Sequence, residues 1–104
     1  MGVAIGLLSL WSPVLAATSF QSMEDYPLVA MRAGHEGTAA FEVVVDEQGR
    51  AQSCRIVQSS GWPELDEATC RVVQRRARFN PARDAQGNPV KSTYSGKIRW
   101  RLPH

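Results

Sequence analysis

Cys54 and Cys70 are the residues of this chain best suited to covalent chemistry. A catalytic cysteine must present an accessible thiolate of lowered pKa. These two lie far outside C-x-x-C spacing, and both fall on core-facing sides of patterned segments, so thiol–disulfide catalysis fits poorly. No third cysteine is present, and the only histidines, His35 and His104, lie far apart in the chain. The Cys/His sets that hold zinc therefore lack ligands. No Ser-His-Asp set, no carboxylate pair and no phosphate-cradling glycine loop is visible. The expectation is a protein that is not an enzyme and uses neither metal nor cofactor. In an oxidising compartment the cysteine pair is most simply a Cys54–Cys70 disulfide, with two buried free thiols as the alternative.

The remaining chemistry is ionic. Arg71, Arg75, Arg76 and Arg78 crowd the end of one helical segment, and Lys97, Arg99 and Arg101 alternate along a later one. The formal net charge is only +2, too small by itself to imply nucleic acid. The helix arginines suit a solvated face near a helix C-terminus, with a contact surface for a partner or an acidic membrane as the second reading.

The elements that carry these residues follow from periodicity. A chain of 104 residues, 43% hydrophobic and 21% charged, fits one ordinary globular domain. Residues 24–34 predict a short helix, with Asp25 as cap, Pro27 in the first turn and Gly34 as the stop. Residues 38–46 alternate, with Ala39, Phe41, Val43 and Val45 on one face, and predict a half-buried strand. Gly49 in "DEQGR" turns the chain into a second strand, 51–60, where Cys54 and Ile56 share the inner face. Residues 63–78 predict the long helix, with Leu65, Ala68, Thr69, Val72, Val73 and Arg76 along one side. Its end is set by Asn80 before Pro81. Residues 83–92 read as a loop. Residues 93–102 predict a third strand, with Tyr94, Gly96, Ile98, Trp100 and Leu102 inward. The sum is α+β, in the order α-β-β-α-β: a three-stranded antiparallel sheet with two helices on one face.

The first 23 residues carry no charge. Their apolar run is shorter than the roughly 20 residues that span a bilayer. "VLAA" places small residues as a signal peptidase site would, after Ala16 or Ala17. Residues 1–17 read as a secretory signal peptide, with a short uncleaved anchor or an upstream start as alternatives.

An ordered set of residues resembles the C-terminal domain of TonB proteins. It runs Tyr26-Pro27, Gly37, Asp46 and Gly49, then Ser59-Ser60-Gly61 and Leu65-Asp66-x-Ala68. It continues with Arg76-x-Arg78-Phe79-x-Pro81-Ala82 and Gly87-x-Pro89-Val90, covering residues 24–102. The resemblance implies a periplasmic domain of a Gram-negative envelope that grips the TonB box of outer-membrane receptors, which take up iron chelates and cobalamin. It also implies inner-membrane motor proteins as partners if an anchor exists. The third strand, after a long loop, is expected at a sheet edge where a peptide strand can add. Tyr26, Pro27, Thr93, Tyr94, Ser95, Lys97, Arg99 and Arg101 are the expected partner-binding residues. A detached envelope module that binds peptidoglycan or another periplasmic protein, or acts as a homodimer, is the second reading; nucleic acid is not expected. The family often has an aromatic residue where this chain has Ala77, so the core there is expected to be smaller, or filled by Trp62 or Trp100.

Overall fold

The computed structural model describes residues 14–15 and 25–103. In chain order the elements are β1 (Val14–Leu15), α1 (Leu28–Ala33), β2 (Gly37–Val45), β3 (Ala51–Gln58), α2 (Pro63–Arg76), β4 (Phe79–Asn80), β5 (Ala82–Arg83), β6 (Pro89–Val90) and β7 (Ser92–Trp100). The main sheet is antiparallel with strand order β3-β2-β7. The α-β-β-α-β plan therefore holds, with short strand pairs added to it. Period-2 alternation on β2 sends Ala39, Phe41, Val43 and Val45 into the core. Leu65, Ala68, Thr69, Val72 and Val73 of α2 are the helix's buried stripe against that face. Among the described residues, no helix lies over the opposite face of the sheet.

Two turns of one design shape the strand connections. At the β2–β3 turn, Asp46 Oδ1 accepts the N–H groups of Gln48 and Arg50, both at 2.9 Å. Gly49 closes it at φ +82, and a Cβ there would stand 2.0 Å from the Phe79 carbonyl oxygen. Glycine is thus required twice, for its backbone and for the close approach. Asp84 repeats the pattern, accepting from Gln86 and Asn88, with Gly87 at φ +85. The segment expected as a loop is consequently a small hairpin, β5 against β6. The self-capping aspartate makes so short a ladder geometrically possible.

The helices are shorter than their sequence patterns. Pro27, not Asp25, stands at the start of α1, and no side chain caps it. The Asp25 carboxylate instead pairs with Arg76 at 2.9 Å. That pairing also moves Arg76 off the buried side expected for it, leaving its side chain 41% exposed. α2 stops at Arg76 because the chain beyond it joins strands: Arg78 bridges Arg50, and Phe79 N–H donates to the Gly49 carbonyl at 2.8 Å.

Trp100 fills the centre of the core with no exposure. Its ring meets Tyr26 edge-on at 5.2 Å. Its indole N–H donates to the Thr69 hydroxyl at 2.9 Å, which donates to the Leu65 carbonyl at 2.8 Å. A buried tryptophan and a buried threonine thus satisfy each other. Ala77 is fully buried in the same cluster. Trp62 does not fill the core beside it: the residue is 38% exposed and its ring stacks on His35 at 3.5 Å.

The disulfide is present. Cys54 Sγ is bonded to Cys70 Sγ, with Cα atoms 5.6 Å apart, tying β3 to α2. The expected signal peptide lies outside the described residues, apart from β1, whose backbone pairs antiparallel with β4.

Candidate functional site: the open edge of the sheet

The sheet has two edges, and they differ. β3 carries two register shifts against β2, one beside Ala40 and Phe41 and one between Val43 and Val45. Each places an extra β3 residue against one β2 residue, which twists the edge and interrupts its row of backbone groups. α2 adds to this. Gln74 Nε2 donates to the Gln52 carbonyl at 2.7 Å, and the disulfide holds the helix against the strand. β7 pairs with β2 without a shift from Gly37↔Trp100 to Val45↔Ser92. Its far side is a straight, regular edge whose alternate N–H and C=O groups point away from β2.

Side chains along β7 divide by face. Thr93, Ser95, Lys97 and Arg99 are exposed on the uncovered face, and Arg101 is exposed just beyond. Tyr94 turns inward, between Phe79 at 4.9 Å and Phe41 at 6.3 Å. Ile98 and Trp100 are buried. Lys97 faces Ala40 across the ladder and Arg99 faces Thr38, so neither has a carboxylate directly opposite. Glu42 is bound instead by Arg55 Nη2 at 2.9 Å.

Tyr26 and Pro27 sit apart from this row. Tyr26 is 6% exposed and its hydroxyl donates to the His35 carbonyl. Burial, with the Glu36 charge beside it, pushes its phenol pKa up. Its place is under α1 against Trp100, and Pro27 is half-buried at the helix start. The structure therefore gathers Thr93, Ser95, Lys97, Arg99 and Arg101 along one line and leaves Tyr26 in the core.

The Ser-Ser-Gly and Leu-Asp elements form a clasp between β3 and α2. Asp66 accepts the Ser60 N–H at 2.8 Å, the Ser60 hydroxyl at 2.7 Å and the Ser59 hydroxyl at 2.5 Å. Gly37 lies beneath, where a Cβ would stand 2.3 Å from the Ser60 carbonyl oxygen. Beside the clasp, Glu64 meets His35 Nδ1 at 2.5 Å. The sequence displays these residues but not their pairing, because the partners come from separate elements.

Residues 23–102 match the family described as Gram-negative bacterial TonB protein C-terminal. The chain belongs to the TonB C-terminal family. It is 31% identical over 87 residues to Protein TonB of Vibrio cholerae, which covers 84% of this chain and 35% of that protein. It is 39% identical over 59 residues to Protein tonB2 of Pseudomonas aeruginosa, covering 57% of this chain and 22% of that protein. The chain thus spans about a third or less of the length of these relatives. A solution structure of the Pseudomonas aeruginosa TonB C-terminal domain superposes with a TM-score of 0.67, covering 88% of each chain at 16% identity. That likeness speaks for the fold, which this TonB-family domain shares.

Acid should loosen the domain through its clasps. Desolvation raises the Asp66 pKa, but the hydrogen bonds from Ser59 and Ser60 outweigh it, and the net shift is downward. The His35 hydrogen bond lowers Glu64. The Arg50 N–H leads the groups that lower Asp46. The unfolded chain therefore takes up these protons first on acidification. Stability is full above the ordinary carboxylate range and falls from about pH 5 downward through the folded-state values. Asp66→Ala should remove about 2 kcal/mol at pH 7, and its stability should fall less on acidification than that of the parent. Urea midpoints at pH 7 and pH 4 check both.

Proposed function

We propose that this TonB-family domain works in the periplasm as a non-enzymatic peptide-binding module. An extended segment of an outer-membrane receptor, the TonB box, adds as a fourth strand beside β7. The observation that carries this reading is the contrast between the edges. β3 is bulged and partly capped by Gln74, whereas β7 offers nine residues in unbroken register. Backbone pairing gives affinity with little demand on peptide sequence. The exposed row of Lys97, Arg99 and Arg101 favours an acidic flank and also discourages edge-to-edge pairing of two copies. If the chain is joined to an inner-membrane anchor, such a grip transmits work from motor proteins to receptors that import iron chelates or cobalamin. Residues 1–17 as a cleaved signal peptide would instead leave a detached module, and N-terminal sequencing of exported protein separates these cases.

The test is titration with a synthetic TonB-box peptide, followed by backbone chemical shifts. The largest changes are expected along residues 92–101. Proline at a β7 position whose N–H faces the open edge should weaken binding while the fold survives. Replacing Lys97, Arg99 and Arg101 together by serine should weaken an acidic-flanked peptide chiefly at low salt, because exposed attraction is screened at higher ionic strength. Changes confined to α1 or α2, with β7 silent, would show that the partner docks elsewhere.

A further inference from the structure

We propose that the uncovered face of the sheet is a second docking surface, for an acidic polypeptide that seats one aliphatic side chain in a hollow over Val44. The hollow arises from the bulge. β3 spends an extra residue between Ala51 and Cys54, where β2 has Val44 alone between Val45 and Val43. The local twist of a bulge opens the face at that point. The result is a concavity of about 110 Å³ lined mainly by Glu42, Val44, Ser53, Arg55 and Thr93. It is several times the share of one water molecule, about 30 Å³. It is well below the roughly 300 Å³ at which small-molecule sites begin. One side chain of a partner fits that range.

Charge names the kind of partner. In the hollow the Glu42 carboxylate is held by Arg55, through Nε at 3.1 Å and Nη2 at 2.9 Å, and Asp46 at the turn accepts the Gln48 and Arg50 N–H groups. Lys97 and Arg99 continue the face on β7, opposite Ala40 and Thr38. A partner lying over Val44 and running along β7 therefore meets an apolar socket at one end and exposed cations at the other. An acidic segment with an aliphatic anchor complements both. This surface is distinct from the β7 edge: the edge offers backbone groups in the plane of the sheet, and the face offers side chains above it. The proposal does not depend on strand addition.

The experiment uses the full chain and three synthetic peptides, Asp-Asp-Leu-Asp-Asp, Asp-Asp-Ala-Asp-Asp and Ser-Ser-Leu-Ser-Ser, with blocked ends. Chemical shifts are followed for the backbone and for the Val44 methyls. The leucine peptide with aspartates should shift Val44, Ser53 and Thr93 together with Lys97. The alanine peptide should bind at least about tenfold more weakly, as expected for loss of a seated aliphatic group. The serine peptide should weaken mainly at low salt. Val44→Thr, which keeps the shape, and Val44→Glu should both reduce binding of the leucine peptide and leave TonB-box titration of β7 unchanged. Equal binding of leucine and alanine peptides would overturn the proposal, as would no binding at all. So would shifts confined to β7 amides and indifferent to Val44, which would report strand addition alone. Binding of anionic phospholipid vesicles to the same residues, with the peptides inert, would assign the face to lipid instead.

Discussion

Trp100→Ala is expected to cost about 3–5 kcal/mol, the range for truncating a buried tryptophan. A domain of this size holds few kcal/mol beyond that, so the variant should be largely unfolded at 25 °C. Three losses coincide at this position. The largest fully buried side chain disappears. Tyr26 loses its edge-on partner at 5.2 Å. The Thr69 hydroxyl loses the indole N–H at 2.9 Å while remaining buried. Trp100→Phe separates these effects. It keeps most of the volume and an aromatic contact but removes the donor, and it should cost about 1–3 kcal/mol. Urea unfolding followed by far-ultraviolet circular dichroism measures both. A Trp100→Ala midpoint close to that of the parent would mean that the core closes without this ring.

Removing the disulfide should cost about 3 kcal/mol. The bond closes a loop of sequence separation 16 and joins β3 to α2. The chain-entropy argument places most of the effect in the unfolded state, which gains freedom when the bond is cut. Cys54→Ala with Cys70→Ala should therefore lower the urea midpoint while leaving the native spectrum near β7 unchanged. Hydrogen exchange should quicken first in β3 and α2, whose mutual attachment is lost, and less in the β2–β7 ladder. Mass spectrometry of exported protein digested without reduction checks the bond directly. Two alkylatable thiols in the folded protein would contradict it.

The sequence disclosed what depends on local period and on single residue types. Alternation in residues 38–46 and 93–102 identified strands and their inward residues, because side chains on a strand repeat every two positions whatever lies beside it. Helical spacing marked Leu65, Ala68, Thr69, Val72 and Val73, each of which is buried. Glycine at 34 and 49 marked the ends of α1 and of the β2–β3 turn, both at positive φ. The two mismatches at helix ends share one cause. Asp25 and Arg76 read as a cap and a core-facing position from their own segments, but each found the other across the fold. A long-range ion pair leaves no local pattern. The hairpin of β5 and β6 was hidden because its strands are two residues long, too short for periodicity to register.

What the sequence by itself determined is the content of each layer: which residues go inward, where the chain turns, and that Lys97, Arg99 and Arg101 share one side of a strand. The sequence also placed the third strand at a border of the sheet; tertiary structure alone decided how the two borders differ. β3 and β7 both alternate and both lie at a border of the sheet. Only the assembled fold bulges β3, lays α2 against it and sets Gln74 on the Gln52 carbonyl. Only that assembly leaves β7 in unbroken register with, among the described residues, no strand against its far side. The physical reason is that an edge is defined by backbone hydrogen bonds left unmade, and every residue other than proline carries the same backbone groups. Side-chain pattern therefore points to a border strand through its connections, but not to the bulges and helix contacts that block the other border.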